Sequence, residues 1–291
     1  MKYSFITQHK NTYPVRLMCQ VLGVSRSCYY SFEKSDARTP DPELEEMLDW
    51  VRRIDTSSKG TYGSRRMKRA LNALSYPVSR EKARRLIRLA GVWVRQRKKY
   101  KVTTNSKHSL PIYENLVDRQ FDVARPNEVY VGDITYIWTQ EGWLYLAVVL
   151  DLFSRKVVGW SMSSRMKSGL VCDALTMAIW GRRPEAGLIC HSDRGSQYAS
   201  KKYRRLLEAN EFKGSMSRKG NCWDNSVAES FFGSLKQERV QWENYQTRHE
   251  AQQDVLDYIT VFYNDTRLHS YLDYVSPNDF ERQSVELKKS A

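Results

Sequence analysis

The 291-residue sequence contains no run of about 18 apolar residues, so no membrane-spanning helix and no membrane partner are expected. Its opening stretch, MKYSFITQHK, lacks the apolar core of a secretory signal, and the expectation is a cytoplasmic protein. The 5 cysteines are scattered without a C-x-x-C pair, which excludes a disulfide framework and a zinc knuckle and fits a reducing compartment. The second half has no P-loop, no G-x-G-x-x-G and no Ser-His-Asp order. No internal repeat and no long low-complexity tract is present.

What is present is positive charge, and it is confined to one part of the chain. The net charge is +14. Residues 1–125 hold 26 Lys and Arg against 12 Asp and Glu, whereas residues 126–291 hold 21 of each. A basic module fused to a neutral one points to an anionic polymer as partner.

The basic part reads as helical. Val15, Met18, Val21 and Leu22 recur at helical spacing, Gly23 breaks the pattern, and Ser25 is placed to cap a second helix. Residues 1–38 thus form a short helical segment, either helix-turn-helix-like or an ordinary hairpin. TPDP at 39–42 is a linker. A helix from Glu43 toward Ile54 carries Leu44, Met47, Leu48 and Val51 on one face. A second, 64–74, has Met67, Ala70, Leu71 and Leu74 as its stripe. Ser79 then caps a third, with Ala83, Leu86, Ile87 and Ala90 inward and Arg80, Lys82, Arg84, Arg85 and Arg88 outward. Two helices joined by a short turn, the second one basic, match a helix-turn-helix with a recognition helix, so 43–98 is read as a DNA-binding domain. Residues 99–125 are a basic linker. Arg95, Arg97, Lys98 and Lys99, at the junction of the two, are candidate phosphate contacts.

From Asn127 the periodicity changes. EVYVGDITYIWT, WLYLAVVLDLFS and RKVVGWSMSS are three strands in a meander. A helix at about 168–181, a strand in GLICHSD, a helix at about 199–210, a strand near 212–216 and a helix from Ser226 follow. The order β-β-β-α-β-α-β-α is that of an α/β, ribonuclease-H-like core: a mixed five-stranded sheet with helices on both faces, preceded here by the all-α region. Residues 126–285 make up this domain together with a helical C-terminal extension.

Three carboxylates stand out in it. Asp133 lies inside a strand with Val129, Val131 and Ile137 on its own face and Tyr130, Ile134, Tyr136 and Trp138 on the other. An ionised Asp there needs a metal, a cation or a hydrogen-bond network. Asp193 follows the apolar run Leu188-Ile189-Cys190 at a strand's carboxyl end, where α/β sheets place ligands. Glu229 lies on the helix SVAESFFGSLKQE, with Val227, Phe231 and Leu235 inward. Seven residues on, Lys236 shares the face of Glu229 at about 10 Å. Each acid has a plain structural explanation taken singly: a satisfied core Asp, a turn Asp before Gly195, and a Ser226-x-x-Glu229 capping box. Together they suit hard divalent cations, Mg²⁺ or Mn²⁺, and two such ions can activate the attacking oxygen and stabilise the leaving oxygen of a phosphodiester. His191 is either a supporting group or a packed strand residue.

The strings around these acids are GDITYI, GWLYLAVVLDLFSRKVVGW, HSDRGSQY, SMSRKGNCWDNSVAESFFGSLKQE and YNDTRLHSYLDYVSPNDF. With the 35-residue gap between Asp193 and Glu229, and with MCQVLGVSRSCYYSF and TYGSRRMKRAL upstream, the chain resembles the OrfB-type transposases of bacterial insertion sequences, in the DDE/retroviral-integrase superfamily. The resemblance implies a DNA transposase that cleaves and joins phosphodiesters. Asp133, Asp193 and Glu229 would be metal ligands for two Mg²⁺ ions, with Mn²⁺ as substitute, and Lys236 would contact DNA near the scissile phosphate. It implies that Asn221, Asp224 and Asn225 position DNA or the catalytic helix, or serve as turn and cap. Trp223 would stack on a base or pack. It implies as partners element-end and target DNA, further copies of the chain as a dimer or higher, and an OrfA-type upstream-frame product, fused or separate.

The sequence departs from the pattern in places. It has no His/His/Cys/Cys zinc module and no zipper heptad, and Leu272-Asp273-Tyr274 carries Asp where the family usually has Gly. A ribonuclease-H-like nuclease without joining activity, and a catalytically idle DNA-binding regulator, are the competing functions.

Overall fold

The structure, a computed structural model, describes residues 1–36, 41–95, 111–118, 120–218 and 222–289. Helices α1 (Lys2–His9), α2 (Val15–Val21) and α3 (Arg26–Asp36) enclose a small core of Ile6, Met18, Cys19 and Tyr29. Ser25 directly precedes α3. Val21, which helical spacing put on the apolar stripe, is 76% exposed, and Cys19 is buried instead. α2 has only 7 residues, too short for its periodicity to fix which side faces inward.

Helices α4 (Pro42–Ser57), α5 (Ser64–Ala73) and α6 (Arg80–Leu89) form a three-helix unit around Met47, Leu48, Val51, Met67, Leu71, Val78, Ala83 and Leu86. Asp41 caps α4 through the Glu43 N–H at 3.2 Å, and Ser79 caps α6 through the Lys82 N–H at 3.1 Å. Leu74, expected inside, follows the end of α5 and is 39% exposed.

The larger unit is the five-stranded mixed sheet anticipated from the pattern. Its strands are β1 (Val129–Thr139), β2 (Gly142–Asp151), β3 (Val157–Ser163), β4 (Ile189–Ser192) and β5 (Lys213–Met216), in the order β3-β2-β1-β4-β5. β1 runs antiparallel to β2 and parallel to β4. Helix α7 (Ser168–Arg182) links β3 to β4, and α8 (Lys201–Ala209) links β4 to β5. These two cover the sheet face bearing Tyr130, Ala147 and Val149. The opposite face, with Val131, Leu146, Val148 and Leu150, is covered by α9 (Ser226–Glu238) and α10 (Arg248–Asp257). α10 continues through a π-helical turn, Tyr258–Tyr263, and α11 (Pro277–Lys289) closes the described chain. No described helix is long and apolar enough to cross a membrane.

Part of the segment expected to be a linker is packed. The Leu116 N–H donates to Ser215 Oγ at 2.9 Å, Val117 is buried in the sheet core, and a Cβ on Gly214 would lie 2.6 Å from the Tyr113 ring. Residues 111–118 are therefore laid along β5.

The C-terminal end of α9 is a buried junction. Glu238 accepts from Arg267 Nε and Nη2 at 2.7 Å each, from Tyr258 Oη at 2.8 Å and from Arg66 Nη1 of α5 at 3.2 Å. Burial works to raise the Glu238 carboxyl, but the Arg267 and Arg66 charges win and hold it below the usual range. Tyr62, just before α5, donates to Thr266 O at 3.2 Å and accepts from the Leu268 N–H at 2.9 Å. Asp273 explains the departure from Gly: it sits at φ +50, followed by Tyr274 at φ +64. Its carboxylate accepts from Arg69 Nη2 of α5 at 3.1 Å. Asp is among the few side chains that tolerate this left-handed conformation, and here it gains a partner for doing so.

Arg267→Leu leaves Glu238 buried with too little positive charge, and a loss of about 3–5 kcal/mol in unfolding free energy is expected by urea denaturation. The double variant Arg267→Leu/Glu238→Leu should recover part of that loss.

Candidate active site

The register of two parallel strands builds the centre. β1 and β4 pair from Val129↔Ile189 to Gly132↔Ser192. The next residue on each strand is an aspartate, Asp133 and Asp193. Strand spacing of about 4.8 Å therefore brings the two carboxylates side by side where the pairing stops. Asp133 Oδ1 accepts from the Ile134 N–H at 2.7 Å, and Asp193 Oδ1 accepts from the Gly195 N–H at 2.9 Å. A Cβ on Gly195 would lie 2.9 Å from that same Asp193 oxygen, so any larger residue there displaces the carboxylate.

Glu229 comes from α9, in its first turn. Ser226 is the first helical residue and Asn225 is the N-cap, without a side-chain cap bond. The capping-box explanation of Glu229 requires Ser226 at the N-cap, one residue earlier than it sits. Phe231 and Leu235 seat the helix on the sheet, and Ala228 and Phe232 join them. Burial first, then the neighbouring charge of Asp193, raises the Asp133 carboxyl well above its ordinary value, and Glu229 adds to the effect. The same two causes raise Glu229. Asp133 and Glu229 are thus electrostatically in contact with Asp193, although no three acidic, His or Cys side chains among the described residues converge closely enough to enclose an ion. An all-oxygen set whose members raise one another is short of positive charge, which fits a hard divalent cation.

Lys236 faces the same region. Burial pulls its ammonium down while the Asp133 charge pushes it up. Its Nζ lies over the Tyr136 ring, 5.0 Å from the centroid. His191 is a buried structural residue: Nδ1 meets Ser215 Oγ at 2.9 Å, Nε2 meets Ser217 Oγ at 3.3 Å, and burial lowers its pKa to about 4, so it is neutral. Asp224 is buried and ties the preceding loop together, accepting from the Arg218 N–H at 2.9 Å, Arg218 Nε at 3.2 Å and Asn115 Nδ2 at 3.1 Å. Asn225 is buried, and its Oδ1 has no partner among the described residues. Asn221 and the Trp223 side chain lie outside the described residues.

The basic residues divide. Arg80, Lys82, Arg84, Arg85 and Arg88 are all exposed on α6. Arg95 is turned inward, its Nη1 donating to Glu238 O at 2.5 Å and its guanidinium lying 5.6 Å from the Trp242 ring centroid. Arg97, Lys98 and Lys99 lie outside the described residues. Sequence reading assigned no role to Glu238, Arg267, Arg66 or Tyr198. Tyr198 packs 3.3 Å from where a Gly132 Cβ would be, beside Asp133. An ion pair between residues as far apart in sequence as Glu238, Arg267 and Arg66 leaves no local signature.

A mixed five-stranded sheet with acids at the mouth of its central parallel pair defines the ribonuclease-H-like polynucleotidyl transferases. The family model described as integrase core domain matches residues 123–222, a second of the same description matches 229–285, and an HTH-like domain matches 43–100. The chain is 40% identical over 287 residues to the transposase InsF for insertion sequence IS3A of Escherichia coli (strain K12), covering 98% of this chain and 100% of that one. It is 44% identical over 269 residues to the insertion element IS600 uncharacterized 31 kDa protein of Shigella sonnei, covering 91% and 98%. Among solved structures it is similar to the HTLV-2 integrase catalytic core domain in complex with magnesium, with a TM-score of 0.41, 18% identity and coverage of 54% and 97%. The chain belongs to the OrfB-type insertion-sequence transposases of the DDE/integrase superfamily, and it is a DNA transposase. The match to a named transposase favours that activity over both a nuclease without joining and an idle regulator.

Gly195→Ala forces Asp193 to shift by a few tenths of an ångström or more. A drop of about 10²-fold in strand-transfer rate, with an unchanged melting temperature, is the expected outcome.

Proposed function

We propose that Asp133, Asp193 and Glu229 are the catalytic trio of this transposase and hold two Mg²⁺ ions, with Mn²⁺ as substitute. The observation that carries this is the β1–β4 register, which ends one residue before both aspartates, with Glu229 facing them from α9. Bound there, divalent ions supply charge for the attacking and leaving oxygens of a phosphodiester. The chain's own part is positional. The backbone N–H groups of Ile134 and Gly195 orient the two aspartates, and α9 fixes Glu229. Lys236 offers an ammonium to a non-bridging phosphate oxygen near the scissile bond. A water or a DNA 3′-hydroxyl attacks phosphorus in line, a new P–O bond forms, and the old P–O bond breaks toward a 3′-oxygen that takes up a proton.

The remaining assignments follow the division of charge. Residues 43–98 read DNA with α6, where Arg80, Lys82, Arg84, Arg85 and Arg88 meet phosphates or base edges, and residues 126–285 carry out the chemistry. Arg97, Lys98 and Lys99 add phosphate contacts, and Arg95 joins them only by leaving Glu238. Asp224 and Asn225 act on DNA indirectly, by shaping the loop before α9, and Asn221 belongs to the same loop. The protein works in the bacterial cytoplasm as a dimer or larger assembly on two element ends. An OrfA-type upstream product, fused or separate, contributes end recognition.

Asp133→Asn, Asp193→Asn and Glu229→Gln should each lower Mg²⁺-dependent strand transfer by roughly 10³-fold, and pairs of these changes should cost little more than one. Cleavage without any joined product in the unaltered protein would instead favour a nuclease.

The raised carboxyls give a pH test. A group whose pKa is raised keeps its proton to higher pH, and an ion must displace that proton. Mn²⁺ affinity measured calorimetrically should therefore weaken as pH falls, with proton release seen as a dependence on buffer ionisation enthalpy.

A further inference from the structure

The β4 strand pairs with β1 only as far as Gly132. Beyond Asp133, that edge of β1 has no strand beside it among the described residues, and the strand runs on toward the β1–β2 hairpin tip. Along this stretch stands a row of aromatic rings. Tyr136 packs edge-on against Trp143, with centroids 4.9 Å apart, and Trp138 packs edge-on against Trp143 at 4.8 Å. Trp138 is 53% exposed and Trp143 42% exposed, although each sits on a strand rather than a loop. The hairpin that carries them is fixed from outside. Arg248 at the start of α10 donates to Trp143 O at 3.1 Å and to Glu141 O, and the Gln140 N–H donates to Tyr245 O at 3.0 Å.

The row lies on the face of β1 opposite Asp133, and Lys236 links the two. The Lys236 ammonium, which feels the Asp133 charge, lies over the Tyr136 ring at 5.0 Å. A cation at the inner end, a second cation in Arg248 at the outer end, and exposed indole faces between them are the components of a single-strand stacking platform. Bases inside a duplex cannot use such a platform, because both their faces are occupied by neighbouring pairs.

We propose that Tyr136, Trp138 and Trp143 form a ledge that receives unpaired bases of the DNA strand leaving the active site. The proposal rests on the carboxylate trio being the catalytic centre, since that is what puts DNA at the inner end of the ledge. Tyr136 is three residues and Trp138 five residues beyond Asp133, about 10 and 16 Å along the strand. At about 3.4 Å per nucleotide, the stacked bases lie roughly three to five nucleotides from the scissile phosphate. Stacking is tolerant of base identity, so the ledge selects an opened strand rather than a sequence.

The test uses the full chain with Ca²⁺ in place of Mg²⁺, so that no chemistry is needed for the readout. Two DNAs of equal length are compared: a blunt duplex, and a fork whose last five nucleotides are unpaired thymines with one 2-aminopurine among them. The unaltered protein should bind the fork more tightly and quench the 2-aminopurine. Trp138→Ala/Trp143→Ala should lose about tenfold in fork affinity and lose the quenching. Trp138→Phe, which keeps a ring, should retain both. The ledge is ruled out by equal binding of fork and blunt DNA in the unaltered protein, or by quenching that survives in the double variant. It is also ruled out if the double variant changes the mass of the DNA-free protein in light scattering, which would make this face a contact between copies of the chain. Failure of the trio would appear separately, as strand transfer with Mg²⁺ that survives Asp133→Asn.

Discussion

The parallel pairing of β1 with β4 is the constraint on which the rest of this protein depends. Four residue pairs, from Val129↔Ile189 to Gly132↔Ser192, bring two distant parts of the chain into register. Because the pairing stops there, two aspartates emerge side by side instead of being separated by further ladder hydrogen bonds. The same termination exposes the edge of β1 along which the aromatic row lies. Lengthening β4 by two residues would carry the pairing past Asp133 and close the gap beside it. A short strand is here what creates a cleft in the middle of a sheet.

The third acid depends on a different arrangement. α9 reaches the centre with its first turn, but its far end is held by the Glu238–Arg267 pair, with Tyr258 from the π-helical turn completing the carboxylate's contacts. Replacing such a pair by apolar groups often costs nothing in stability, whereas removing one partner is expensive. The pair therefore specifies where the helix ends more than it strengthens the fold. Glu229 lies nine residues from Glu238, about 14 Å along the axis, so a rigid α9 transmits that placement to the proposed site.

Much of this could be read in the residues themselves. Alternation gave the strands, the apolar faces around Asp133 and the helices on either side, because burial on both faces of a central strand writes directly into composition. The three acids could be found because each sits at an element boundary or an unfavourable position. What could not be read involved contacts without period. Val21 and Leu74 lie at the ends of short helices, where spacing leaves the inward side undecided. Arg95 looked like one more cation of a basic tract, and only its bond to Glu238 O distinguishes it. The capping box at Ser226 failed because the helix follows directly on the 3-10 turn Cys222–Asn225 and starts at Ser226 itself, one residue too early for Ser226 to be the cap.

Glu238 also has a partner in the three-helix unit, through Arg66, and Tyr62 bonds the Thr266–Leu268 backbone. Free energies of association are reciprocal: whatever factor one ligand imposes on another's affinity is returned in full. If DNA on α6 favours this docked arrangement of α5, it favours the α9 placement that the arrangement shares. By the same factor, ions gathered by the acids would tighten the hold of α6 on DNA. On the proposed assignments, the junction would make recognition and metal loading two readings of one equilibrium.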